Sequence, residues 1–398
     1  MKRIHIGRRA ALAGGVAAFA SPAVLRAQNE PIKLATLTPL TGAGGSYGPA
    51  MAKVAASVVE EVNKAGGVLG RRVVLVSEDD QTSPEPAVRA ARKLIDVDKV
   101  AAIMGTWASS VTTAVAPLCW ESKTFLCTVS GADSITQLPH QGFLIRTQPN
   151  STLQVTRVGE FILSLGAKKV FTMIPQTPFT QATFDILNAV LPKGGATHQS
   201  LIYDDKKTTY RTEVDQALRT SPDLILANGY TPDSIVLLKD LYRAGFKGKI
   251  LGFAYSINQK LIDQIGQPEV VEGVYTFAPS PTEGSTAYER VKAAVGSANP
   301  DPYTCQVYDH TNMVLMSMAF AKEASGTAIK DNIRKITQGG GKSVDNAADG
   351  IKAIAAGEKV DYAGASGPCD FDDKGDILDC KFRYEQIKSG KFTVVKIA

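Results

Sequence analysis

The chain runs to 398 residues and carries 44 lysines and arginines against 39 aspartates and glutamates. That length is more than one hydrophobic core fills, so two lobes are expected, and five cysteines are too few for a disulfide scaffold. The excess positive charge belongs to residues 1–27, which hold five basic residues and no acidic one; the remainder balances at 39 against 39, which excludes a basic surface for nucleic acid or an anionic membrane.

Residues 1–27 read MKRIHIGRRAALAGGVAAFASPAVLRA. Lys2, Arg3, Arg8 and Arg9 precede a small apolar run, Ala10–Ala20, and small residues follow up to a cut expected after Ala27. This is the pattern of a bacterial export signal, and the apolar run is shorter than the roughly 20 residues a membrane span needs. The Arg8-Arg9 pair fits the twin-arginine route, but Ala11 and Leu12 depart from that motif, so the route stays open. The rest of the chain is expected to work outside the cytoplasm.

From there, strand-like and helix-like runs alternate. Ile32–Leu40 predicts a strand and Pro49–Lys64 a helix; Arg72–Ser77, Pro84–Ile95, Val100–Gly105, Ser109–Glu121 and Thr124–Val129 continue the alternation. After Phe143–Thr147 the rhythm restarts with a helix at Val155–Leu165, a strand at Lys169–Ile174 and a helix at Gln181–Leu191. Ser200–Tyr203, Tyr210–Leu218, Leu224–Ala227, Ser234–Ala244 and Ile250–Phe253 follow. The last third begins with helices, Pro302–Ala324 and Ala328–Thr337, and ends in short strands, among them Lys391–Ile397. Near-continuous apolar strands alternating with helices predict an α/β protein with parallel sheets covered on both faces. Two such series imply two Rossmann-like lobes, with ligands at the carboxyl ends of the strands.

Residues 37–48, LTPLTGAGGSYG, put four glycines between a strand and a helix, where nucleotide-binding enzymes cradle a phosphate. The dinucleotide spacing fails, because the sixth position from Gly42 is Tyr47 and the third from Gly44 is Ser46; the Gly-Lys-Ser/Thr ending of a P-loop is also absent. Glu78, Asp79 and Asp80 stand where a ribose-binding acid would, yet acids at strand ends are common. No cofactor is expected, and the glycines are read as a tight turn that lifts Tyr47 over a cleft. His5, His140, His198 and His310 are scattered without metal-ligand spacing, and no G-x-S-x-G elbow occurs. No metal and no catalysis are expected.

The stretch GPCDFDDKGDILDCKF reads as two short strands around a Lys374-Gly375 turn. A two-residue loop would set Cys369 and Cys380 directly opposite each other, close enough for a disulfide; a three-residue loop would slip the register by one. Both pairings stay open, as does contact between Cys119 and Cys127, while Cys305 is left over.

Several segments, in order and spacing, resemble the leucine/isoleucine/valine-binding class of periplasmic solute receptors for ABC transporters. They are IKLATLTPLTGAGGSYG, VNKAGGVLGRRVVLVSEDD, IMGTWASSVTTAVAP, GFLIRTQPN, DLILANGY and GPCDFDDKGD. The resemblance covers nearly the whole chain after the export signal. It implies the type I periplasmic binding fold, in which hinge strands join two lobes that close on a ligand. Lobe 1 is then expected at 31–148 plus 278–362 and lobe 2 at 149–277 plus 363–398, with crossovers near Gln148, Ala278 and Ala363. The implied partners are a small-molecule ligand and a membrane permease, the implied location is the periplasm, and the chain is expected to be a monomer.

The resemblance also implies site residues. The loop after the third strand gives a ligand carboxylate a hydroxyl and backbone N–H groups; here that is Ser109, with Ser110 beside it and Trp107 as a wall. Ser109 suits an N-cap, and a helix start attracts anions. The next loop aligns as Val129, Ser130 and Gly131; the family threonine becomes Gly131, so Ser130 must supply the hydroxyl or it is lost. Tyr47, Phe179 and Tyr230 match cleft aromatics, and Tyr255 suits a ring. Amino-acid-binding members hold the ligand ammonium with a glutamate where this chain has Ala254, and no acid occurs between Asp240 and Asp263. A desolvated ammonium without a counter-charge costs several kcal/mol, so unless Asp133 replaces the glutamate, the expected ligand is an apolar or aromatic carboxylate. A secreted α/β enzyme using the same cleft, and a ligand-sensing partner of a signalling protein, are the alternatives.

Overall fold

Ala102–Thr106 (β3) and Leu224–Ala227 (β8) are buried at every residue, because each lies inside a mainly parallel sheet with helices on both faces. The computed structural model describes residues 30–398, so the export-signal reading of residues 1–27 lies outside the described residues. The first sheet has five strands in the order β2-β1-β3-β4-β5. They are Val73–Asp79 (β2), Ile32–Thr38 (β1), β3, Phe125–Thr128 (β4) and Leu144–Arg146 (β5), and all pair in parallel. The second sheet has seven strands in the order β14-β13-β10-β9-β8-β6-β7. Lys169–Pro175 (β6), Thr197–Tyr203 (β7), β8, Lys249–Phe253 (β9) and Tyr275–Pro279 (β10) are parallel, and Phe382–Lys388 (β13) and Lys391–Ile397 (β14) add antiparallel at one edge. A small parallel pair joins Lys342–Val344 (β11) to Val360–Tyr362 (β12).

The chain leaves the first sheet after Arg146, returns after Pro279 and joins the second sheet again at Phe382. This last passage comes later than the expected crossover near Ala363. Ala365, Cys369, Phe371 and Ile377 pack into the first core, so residues 363–377 belong with the first sheet. The helix Pro302–Ala321 explains why that core is deep: 17 of its residues are buried. It stops short of the expected Ala324 because Lys322 turns left-handed at φ +56°, and a new helix starts at Gly326.

Of the helix starts that differ from expectation, two set cavity residues in place. The helices expected from Val155 and Gln181 begin at Ser151 (Ser151–Ser164) and Pro178 (Pro178–Val190). The Ser151 helix opens on the polar pair Ser151-Thr152 and the Pro178 helix on a proline, both ahead of the apolar period that set the expected starts. Local chemistry starts them instead. The Asn150 side chain accepts from Leu153 N–H, and Thr177 and Thr180 form a reciprocal capping box.

The cysteine hairpin takes the slipped register. Phe371 bridges Ile377 and Asp372 N–H donates to Asp376 O, which leaves Asp373–Gly375 as a three-residue loop. Cys369 and Cys380 are therefore offset by one residue and are both free thiols, which corrects the disulfide pairing. Cys369 Sγ instead lies 3.8 Å from an Asp309 carboxylate oxygen, and Cys380 Sγ lies 3.1 Å from Lys381 O.

The same hairpin carries Asp376, whose carboxylate meets the fully buried Arg146 guanidinium at 2.8 Å from Nε and 2.5 Å from Nη2. Arg146 also donates from Nη1 to Ala132 O at 2.6 Å and from Nη2 to Thr136 Oγ1 at 3.1 Å. Asp376 further accepts from Asn150 Nδ2 at 3.2 Å. One ion pair thus binds the end of β5, the turn after β4, the start of the Ser151 helix and the hairpin. Among the described residues, no helix is long and apolar enough to cross a membrane.

Candidate functional site

The loops at the carboxyl ends of strands from both sheets converge on one cavity of ≈ 70 Å³. At roughly 10–15 Å³ per water position, that is room for about five waters. Trp107, Ser109 and Ser110 reach it from the loop after β3, and Val129 and Gly131 from the loop after β4. Phe179, Tyr230 and Tyr255 reach it from the second sheet.

Ser130, Tyr47, Ala254 and Asp133 are not on the wall, and each for a physical reason. Ser130 is buried with its hydroxyl turned away, 2.8 Å from Trp107 O and 2.6 Å from Thr112 Oγ1, so it does not replace the threonine lost at Gly131. Tyr47 stacks behind Trp107 with ring centroids 5.5 Å apart. Its hydroxyl donates to Ala254 O at 3.2 Å and accepts from Asn258 Nδ2 at 2.7 Å. Tyr47 is therefore a clasp between the two halves, and Ala254 serves it through its backbone. Asp133 points elsewhere too: it accepts from Thr152 N–H at 3.2 Å and Thr152 Oγ1 at 2.8 Å, at the start of the next helix.

One end of the cavity is built by the helix Ser109–Ser122. Its N-cap is Ala108, with no side-chain cap, so Ser109 is the first helical residue and not the expected cap. The first helical bond runs from Thr112 N–H to Ala108 O, and the preceding N–H groups have no partner within the helix. Ser109 Oγ accepts from Ala132 N–H at 3.2 Å, which leaves its own proton for a ligand.

The opposite wall is aromatic. Trp107 lies 5.5 Å from the Tyr230 ring, 6.2 Å from Tyr255 and 5.8 Å from Tyr303. Burial pushes the Tyr230 hydroxyl up to about 12 and those of Tyr255 and Tyr303 well above the usual phenol value, so all three stay neutral. Tyr255 accepts from Asn228 Nδ2 at 2.6 Å. No charged side chain lies on the cavity wall among the described residues. Two buried acids stand behind it. Burial raises Asp80 to about 7, and Asp301, also raised by burial, caps the helix that carries Tyr303.

The glycine loop works by close approach. A Cβ on Gly44 would lie 2.8 Å from two Trp107 ring carbons and from Pro39, while Gly42 takes φ +79° against Gln81 O. Gly44→Ala should therefore displace Trp107 and weaken ligand binding about tenfold, as overpacking typically costs about 1–3 kcal/mol; calorimetric titration of the variant measures it.

Sequence reasoning missed Gln148, Gln154, Tyr303 and the Ile174–Pro178 edge, all of which line the cavity. Gln154 and Pro178 lie in the first turns of the two helices that start early. Asn150 before a hydrophobic run, and Pro178 after Thr177, are helix-start signals that could have placed both.

A family model described as periplasmic binding protein matches residues 31–391. The chain belongs to the periplasmic binding protein family, whose members bind solutes outside the cytoplasm and are not enzymes. An amino acid binding protein of Pseudomonas aeruginosa is 25% identical over 292 residues, 71% of this chain and 76% of that protein. The leucine binding protein LivK of Thermotoga maritima superposes with a TM-score of 0.77 at 22% identity, covering 92% of this chain and 98% of its own. An ABC-transporter solute-binding protein of R. palustris, solved with benzoate, superposes with a TM-score of 0.74 at 16% identity, covering 92% of this chain and 96% of its own. These likenesses show the two-lobed type I periplasmic binding fold.

Proposed function

We propose that this protein is the solute-binding component of an ABC uptake transporter and delivers a small aromatic or apolar carboxylate to a membrane permease. One observation carries the ligand class: the cavity joins an uncapped helix start to an aromatic wall and has no acid on its surface. The helix start and Ser109 suit a carboxylate. The rings of Trp107, Tyr230 and Tyr255 suit a flat apolar body. An α-ammonium would be desolvated there without a counter-charge, since Ala254 occupies the position where the amino-acid-binding relatives are expected to hold a glutamate. The benzoate in the R. palustris structure supports the same reading by analogy of fold.

Calorimetry on the purified protein tests this. Benzoate is expected to bind in the micromolar range or tighter, and leucine at least about 100-fold more weakly, given an uncompensated buried charge. Tight leucine binding with no response to benzoate refutes the reading of a ligand without an ammonium and restores a branched-chain amino acid.

A further inference from the structure

Three glutamine side chains form a chain that passes from one half of the molecule to the other and ends on the cavity. Gln306 sits on the helix Pro302–Ala321 in the first core, Gln148 in the segment linking the sheets, and Gln154 in the first turns of the helix Ser151–Ser164. Gln306 Nε2 donates to Gln148 Oε1 at 2.8 Å, Gln148 Nε2 donates to Gln154 Oε1 at 3.0 Å, and Gln154 Nε2 donates to Pro149 O. The direction is forced from the far end. A carbonyl oxygen only accepts, so the atom facing Pro149 O must be the Gln154 amide nitrogen, and the other two assignments follow in turn.

The consequence is a count of protons. Each amide nitrogen carries two hydrogens, and Gln148 and Gln154 have each used one. Both side chains are nearly enclosed, at 4% and 3% exposure, and both line the cavity. Each therefore brings one unspent N–H to a place with little water, and an N–H left unpaired there is costly. Their acceptor oxygens are occupied within the chain, so what the pair offers the cavity is donors. Gln154 Nε2 also lies beside the Gly131 turn, where a Cβ would stand 3.0 Å from it and 3.2 Å from the Phe179 ring. At this turn the chain lacks a threonine hydroxyl, and the neighbouring Ser130 hydroxyl is turned away.

We propose that the Gln148–Gln154 amide pair is a ligand-contacting, specificity-determining part of the site, holding one carboxylate oxygen by two neutral N–H donors across the Gly131–Ala132 turn from the Ser109 helix start. The proposal rests on the carboxylate reading above and deepens it. The carboxylate is gripped from both halves, the first through Ser109 and its helix and the second through Gln154, without a cationic side chain. A ligand that presents hydrogens at this point, such as a primary amide, would set donor against donor, so the pair selects the anion over its neutral amide.

Titrations of benzoate and benzamide into the wild-type protein and into Gln154→Leu and Gln154→Glu variants test it. Wild type should prefer benzoate. Gln154→Leu should lose about 10–150-fold in benzoate affinity, the range for a hydrogen bond to a charged group. Gln154→Glu should lose about 100-fold or more at pH 8 and recover part of it as the pH falls, because a buried carboxyl protonates readily and then donates one hydrogen. Benzamide binding should hold or improve in that variant, which general damage to the fold would not produce. Benzoate affinity within twofold of wild type in both variants overturns the proposal and leaves the carboxylate reading standing. Failure of wild type to bind benzoate, with tight leucine binding, overturns both. Should the variants not fold, a structure of the wild-type protein with benzoate decides: a carboxylate oxygen about 2.7–3.2 Å from Gln154 Nε2 supports the proposal, and one beyond hydrogen-bond reach overturns it.

Discussion

Asp376→Ala should lower the melting temperature by about 10 °C, at about 3–5 kcal/mol for orphaning a buried charge and about 2–4 °C per kcal/mol in domains of this size. The Arg146 side chain is fully enclosed, and Asp376 is its ion-pair partner. Removing the carboxylate leaves the guanidinium with carbonyl and hydroxyl acceptors only, at Ser130, Ala132 and Thr136. It also frees Asn150, which starts the helix carrying Gln154. Ligand affinity should fall with stability, since the Gly131–Ala132 turn is anchored through the same arginine. A double variant, Arg146→Met with Asp376→Leu, should lose less than Asp376→Ala alone, because it removes both charges together. Thermal unfolding of the two proteins side by side checks this; a single variant that melts with wild type would show that the pair carries no weight.

Trp107→Ala should weaken ligand binding about 30-fold or more, in the range of a buried aromatic hot spot, and should also cost about 3–5 kcal/mol of stability as a large-to-small core change. Trp107 touches the rings of Tyr47, Tyr230, Tyr255 and Tyr303, so it forms the wall of the cavity and the seam between its two halves. The chain has 2 tryptophans, and Trp120, the other, is half-buried on the first core away from the cavity wall. A ligand-induced change in tryptophan fluorescence should therefore be present in wild type and vanish in Trp107→Ala. Persistence of the signal in the variant would place the ligand elsewhere.

Local pattern was sufficient for most strands and helices. Buried parallel strands appear as continuous apolar runs, and the residues just after them are the ones a parallel sheet presents to a ligand. Strand ends marked which loops to search, and the family resemblance named Trp107, Ser109, Phe179 and Tyr230 within them and showed the missing acid at Ala254. Tertiary structure decided what depends on partners far apart in the chain or on a single step of register. Arg146 and Asp376 are 230 residues apart, and nothing in either neighbourhood announces the other. The cysteine hairpin turned on whether its loop held two residues or three, a choice settled by the hydrogen bonds of Asp372 and Asp376. Ser130 lost its expected role because the carbonyls behind it took its hydroxyl. Gln154 lay hidden in a polar first turn where periodicity is silent. The sequence by itself determined which faces are apolar and which loops end strands, because those follow from spacing along the backbone; the direction in which each polar group spends its hydrogen bonds was left to packing, because it depends on which distant segments share the same few ångströms.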